Sequence, residues 1–142
     1  MPNSDPSRVM SPLNFIVKLK PGSKAGIEMI SPQLSARLKR GADQIGTLHE
    51  ARFVRLDEDT IGLFTTYDGD FDTYISDFTK HIADIFNALF ANVVDPPPLP
   101  VEKNIQAFAD YVRAHDFPII TYYTAYPNLT VQDIRALSTA RV

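Results

Sequence analysis

Cysteine and tryptophan are both absent from the 142 residues. Without thiols there is no disulfide framework, no thiolate metal site and no cysteine nucleophile. Glycine is scarce, at 6 residues, and no Gly-rich pattern follows the one strand-to-helix turn that could cradle a phosphate. No apolar run reaches the roughly 18 residues that a membrane-spanning helix needs. The 3 histidines are scattered, without metal-ligand spacing. No Ser–His arrangement has the pattern of a nucleophile elbow. No basic run is interleaved with aromatics, so nucleic acid is not an expected partner. The polar, proline-containing stretch 1–11 lacks the apolar core of a signal peptide. It is expected to be a flexible leader, and the chain is read as cytoplasmic by default.

What is present fits one globular domain over residues 12–142. The chain is 44% hydrophobic and 22% charged, with a formal net charge of −3, which is ordinary for a soluble domain with a real core. Residues 1–56 are rich in Lys and Arg, and residues 57–142 in Asp and Glu. This is a weak dipole of the kind that can orient protomers or steer an anion, or a plain solvated surface.

The strands are read from period-2 alternation. Phe15, Val17 and Leu19 share one face of a first strand over 13–19. Residues 24–41 look helical in two pieces, with Ser31 as a cap, Pro32 in a first turn and Gly41 as a stop. Strands over 47–56 and 61–67, joined by Asp57-Glu58-Asp59-Thr60, must form an antiparallel hairpin. The 3.6-residue spacing of Phe71, Tyr74, Ile75, Phe78, Ile82, Ile85, Phe86 and Leu89 predicts one helix over 71–90. The proline-rich stretch 94–100 is an extended connector. A helix over 101–115, a strand over 119–125 and a short final helix follow. Thr130 and Asp133 form a capping box at the start of that last helix.

The order β-α-β-β-α-(α)-β is that of a ferredoxin-like α+β fold, an antiparallel sheet with helices on one face. Apolar residues occur on both strand faces, so neither face is expected to be fully wet. Two such sheets packed face to face would make a homodimer with a semi-polar cavity.

That element order resembles the dimeric α+β barrel superfamily, which includes small monooxygenases, muconolactone isomerase-like proteins, chlorite dismutase-like proteins and dye-decolorising peroxidases. A closer resemblance lies in Leu48-His49-Glu50-Ala51-Arg52-Phe53, in Leu63-Phe64-Thr65-Thr66-Tyr67-Asp68-Gly69-Asp70, and in the stretch Tyr123 to Val131. These are similar to a microbial group with a His-x-Ala-Arg-aromatic … Tyr-Asp-Gly signature, some of whose members are peroxidase-like. The chain departs from that pattern at Glu50 and Thr66, where an apolar residue and Asn are expected. Three functions are weighed. They are a small-molecule-binding dimer, an oxidoreductase of the monooxygenase or haem-peroxidase kind, and a non-catalytic assembly or regulatory module. The peroxidase relatives would place His81 or His115 on a haem; no cofactor follows from the residues themselves.

The candidate catalytic group is His49, Arg52 and Asp68, and the candidate ligand-binding residues are Glu50, Tyr67, Tyr122 and Tyr123. His49 could shuttle a proton near neutral pH or simply be satisfied by a neighbour. Arg52 could hold a carboxylate or phosphate by paired hydrogen bonds, or form a salt bridge to Asp68 or Asp70. Regular alternation puts His49 and Arg52 on opposite faces and Glu50 beside Arg52. Either Asp68 or Asp70 would cap the helix that follows. Tyr122 and Tyr123 suit either a ligand pocket or a dimer interface.

Overall fold

In a computed structural model, residues 3–140 are described. The order is β1 (Met10–Lys18), α1 (Lys24–Ile45), β2 (Leu48–Asp57), β3 (Thr60–Asp68), α2 (Phe71–His81), α3 (Ala83–Phe90), a 3-10 turn (Val101–Lys103), α4 (Ile105–Ala114) and α5 (Val131–Ala140). The fold is α+β. Its antiparallel sheet has three strands in the order β1-β3-β2. Among the described residues no helix is long and apolar enough to cross a membrane.

Alternation sets the sheet faces as expected. Leu13, Phe15, Val17, Ile61, Leu63 and Tyr67 point into one core with the apolar stripes of the helices. Phe90, fully buried, is the hub of that core. Its ring meets Phe15 at 6.1 Å, Tyr111 at 5.4 Å, and Phe86 and Phe108 at 5.9 Å between centroids. Offset and edge-on ring pairs of this kind add stability beyond the area they bury.

Three helical expectations are corrected. The first helix is continuous from Lys24 to Ile45 with Pro32 inside it. Docking of its buried side, Ile27 and Leu34, prevails over the break that proline favours locally. The stop is Gly46, at φ 73°, where glycine is the residue that fits a left-handed C-cap. Gly41 is instead a helix contact, because a Cβ there would run into Cγ2 of Ile82. The helix expected over 71–90 breaks at Ile82, whose φ of −138° separates α2 from α3. Neither glycine nor proline causes that break. It falls where Ile82 meets Gly41 across the α1 contact. The last expectation holds: Thr130 N–H donates to Asp133 Oδ2 at 3.0 Å and Asp133 N–H to Thr130 Oγ1 at 3.1 Å.

The strand expected over 119–125 does not form. At the outer edge of β1 a short irregular contact replaces it: Ile16 N–H donates to His115 O at 3.1 Å and Phe117 N–H to Asn14 O at 2.9 Å, and side chains add to these. Asp116 Oδ1 accepts the Asn14 N–H at 2.9 Å. Asn3 accepts the Ile119 N–H at 3.0 Å and donates to Phe117 O at 3.2 Å. Among the described residues two isolated bridges remain along this edge, Phe15 to Asp116 and, just past β1, Leu19 to Val93. Residues 3–9, expected as a flexible leader, therefore have their own anchor: Asn3 is buried and bonded to Asp116 at 3.1 Å. Met1 and Pro2 lie outside the described residues, and β1 itself starts at Met10.

Burial raises the pKa of Asp116 above 3.8, against the hydrogen bonds from Asn14 and Asn3 that lower it. A carboxyl raised in this way binds its proton more tightly folded than unfolded. Its ionisation thus lowers stability as pH rises from 3.8 through the raised value, and acidification restores it. Asp116→Asn removes that dependence. Wild type should lose stability relative to the variant as pH rises through that window, read from urea midpoints. A difference that does not change with pH would refute the assignment.

Candidate functional site

The site begins with an irregularity in β2. Leu48 pairs with Tyr67 and Glu50 with Thr66, so His49 is the extra residue of a β-bulge. A bulge re-aims a side chain and interrupts strict alternation. Leu48 and Ala51 turn toward the helices, while Glu50 and Arg52 lie on the opposite sheet face. His49 is thereby directed along the sheet to the end of β3. There its Nε2 lies 2.6 Å from Asp68 Oδ1, with side-chain exposures of 14% and 9%.

The two candidate aspartates divide the work that the sequence assigned to both. Asp70 is the cap of α2, accepting from Thr73 N–H at 2.8 Å and Thr73 Oγ1 at 2.9 Å. These hydrogen bonds hold its carboxyl below the usual range. Asp68 does not cap α2. Its Oδ2 accepts the Val131 N–H at 2.7 Å, at the start of α5. Asp68 thus joins His49 on one oxygen and the first turn of α5 on the other. A carboxylate at a helix N-terminus is favoured by the helix dipole.

The proton count follows from this geometry. A carboxylate only accepts, so His49 donates from Nε2–H and, in the neutral ring, Nδ1 carries the lone pair. No protein partner of Nδ1 is found among the described residues. A histidine oriented by an aspartate, with no protein partner on its second nitrogen, is an arrangement suited to proton transfer.

His49 lines two surface grooves. The larger, about 360 Å³, lies between α1, β2 and α5; its walls include Leu38, Ala42, Leu48, Ala51, Lys39 and Arg135. The second, about 260 Å³, opens on the other face between Met10, Glu50, Thr66, Tyr122, Tyr123 and Thr124. Tyr122 is half-buried there, under Arg8 at 4.5 Å from the ring centroid. Tyr123 is largely exposed.

Of the other expected site residues, Arg52 and Tyr67 are placed elsewhere. Arg52, with a side-chain exposure of 64%, stands 3.9 Å from Glu50 and makes no salt bridge to Asp68 or Asp70. It lies over Phe64 at 5.7 Å, in a separate groove of about 140 Å³ with Ile119 and Tyr122. Glu50 lines the His49 grooves as well as this one. Tyr67 belongs to the core rather than to a groove. Its ring stacks on Tyr74 at 4.0 Å, and burial pushes its pKa up to about 12. His81 Nδ1 lies 3.2 Å from Gln44. His115 Nδ1 bonds Tyr111 O at 2.8 Å, and its ring stacks on that of Tyr111. Among the described residues no cluster of His, Asp and Glu has the geometry to hold a metal ion.

Sequence reasoning missed Arg135 and the α1 wall of the larger groove, because both depend on where α5 lies. Comparisons with family models, with curated proteins and with solved structures return no match.

Proposed function

We propose that this chain binds a small, partly apolar molecule in the groove between α1, β2 and α5, and that His49 exchanges a proton with it. The observation that carries the reading is the bond from His49 Nε2 to Asp68 at 2.6 Å in a histidine that lines the groove, with no protein partner on Nδ1 among the described residues. The apolar walls supply binding, and the dyad supplies one oriented donor or acceptor, the usual division of labour in small-molecule sites. Isotope-labelled protein titrated with a library of small aromatic and aliphatic compounds tests it by NMR. Binders should shift the His49 ring signals together with those of Leu38 and Ala51. Binders that shift only the groove lined by Ile30, Arg37 and Asp84 would overturn the assignment.

We further infer a homodimer of the ferredoxin-like kind, paired through the sheet face that the helices leave free. Ile120 is wholly exposed beside Tyr123 and Tyr126, which are largely exposed, and Ile16, Val54 and Phe64 on the sheet are only half-covered. Exposed large apolar side chains, when contiguous, mark interaction surfaces. Sedimentation equilibrium at micromolar concentration should give twice the chain mass of 15.9 kDa; a monomer refutes the pairing.

A further inference from the structure

We propose that the His49 groove takes a small amphipathic anion, a monocarboxylate with an apolar body, and that Arg135 holds its carboxylate. This rests on the binding reading above and names the ligand class.

Four charged side chains line the groove beside His49: Lys39, Asp43, Glu50 and Arg135. Three of them have an opposite charge within reach. Lys39 Nζ is 3.0 Å from Asp43, and Glu50 is 3.9 Å from Arg52. Arg135 forms no ion pair among the described residues. Among the described residues Arg135 is thus the groove-lining charge without an ion-pair partner.

Its position is set by the fold. Gln132, one turn earlier on α5, donates to Gly46 O at 2.8 Å and ties that helix to the turn between α1 and β2. Arg135 Nη1 stands 3.7 Å from where a Cβ on Gly46 would lie. This is the carboxyl end of α1, where the helix dipole favours a positive charge. A guanidinium is permanently charged and presents a planar fork of donors that matches a carboxylate. The wall beyond it is apolar, formed by Leu38, Ala42, Leu48 and Ala51. A ligand gripped at one end by Arg135 lays its body on that wall beside His49. A cationic ligand finds both groove carboxylates already paired.

The test compares phenylacetate, its neutral isostere phenylacetamide and the cation phenethylamine, using the full chain and the NMR signals of Leu38, Ala51 and His49. Phenylacetate should bind about tenfold or more tightly than the amide, the scale expected of a charged hydrogen bond. Arg135→Gln should reduce phenylacetate to the level of the amide and leave the amide unchanged. Arg135→Lys, which keeps the charge and loses the fork, should recover part of the difference. Circular dichroism melts confirm that the variants fold. Equal affinity for acid and amide, a preference for the amine, or an acid affinity unaffected by Arg135→Gln overturns the anion anchor while leaving the groove a binding site. If no probe moves those signals, the underlying binding reading falls with it.

Discussion

Phe90→Ala is expected to destabilise the fold by about 3–5 kcal/mol, the range for deleting a fully buried aromatic ring. Phe90 is 0% exposed. Its ring joins β1 through Phe15, the neighbouring turn of α3 through Phe86, and α4 through Phe108 and Tyr111. These neighbours come from three elements that cannot all collapse into the space left, so most of the cavity cost should persist. Against a total stability of roughly 5–15 kcal/mol for a domain, that is a large fraction of what holds the fold. Urea unfolding at reduced temperature measures the difference. A loss under about 1.5 kcal/mol would mean that Phe90 is not the hub of a single core. Phe90→Leu, which refills much of the volume, should cost clearly less.

Asp68→Ala is expected to cost about 3 kcal/mol and to loosen α5. Two hydrogen bonds to a carboxylate are lost, from His49 Nε2 at 2.6 Å and from Val131 N–H at 2.7 Å. Charge-assisted bonds of this kind contribute about 1.5–3 kcal/mol each, and the helix relaxes enough to recover part of the sum. The stability change comes from urea unfolding. Hydrogen exchange locates the rest of the effect: amides in the first turn of α5 should lose protection first. Asp70→Ala, by contrast, should loosen the first turn of α2 and leave α5 protected. If Asp68→Ala loosens α2 instead, the division between the two aspartates is wrong. Asp68→Ala also frees the His49 ring, so the ring signals should broaden or shift even without a ligand. Asp68→Asn retains an acceptor and should be milder in both respects.

The tetrad Tyr67-Asp68-Gly69-Asp70 shows how far a sequence can be read. That an aspartate caps α2 follows from local chemistry, because the cap bond spans only three residues, from Asp70 to Thr73. Which aspartate does so, and what the other does, depends on partners 19 and 63 positions away, at His49 and Val131. The expectation that His49 and Arg52 occupy opposite faces came from strict alternation. The bulge replaces that alternation with an edge position for His49, which neither face describes. Arg52, the expected holder of a carboxylate or phosphate, is exposed beside Glu50 in a separate groove, and Arg135 on a distant helix lines the larger one with Lys39.

The same division runs through the whole chain. Local signals determined the hairpin, the alternation of β1, the amphipathic stripes of α2, α3 and α4, and the capping box of α5. Each depends on interactions a few residues apart, so the chain encodes them whatever the rest of the molecule does. Tertiary structure decided the continuity of α1 through Pro32, the break at Ile82 opposite Gly41 and the short backbone and side-chain contact of residues 115–117 on β1 in place of a fourth strand. It also decided the meeting of His49 with Asp68. Those outcomes are set by which surfaces come into contact, and contacts between distant segments leave no periodicity in the sequence.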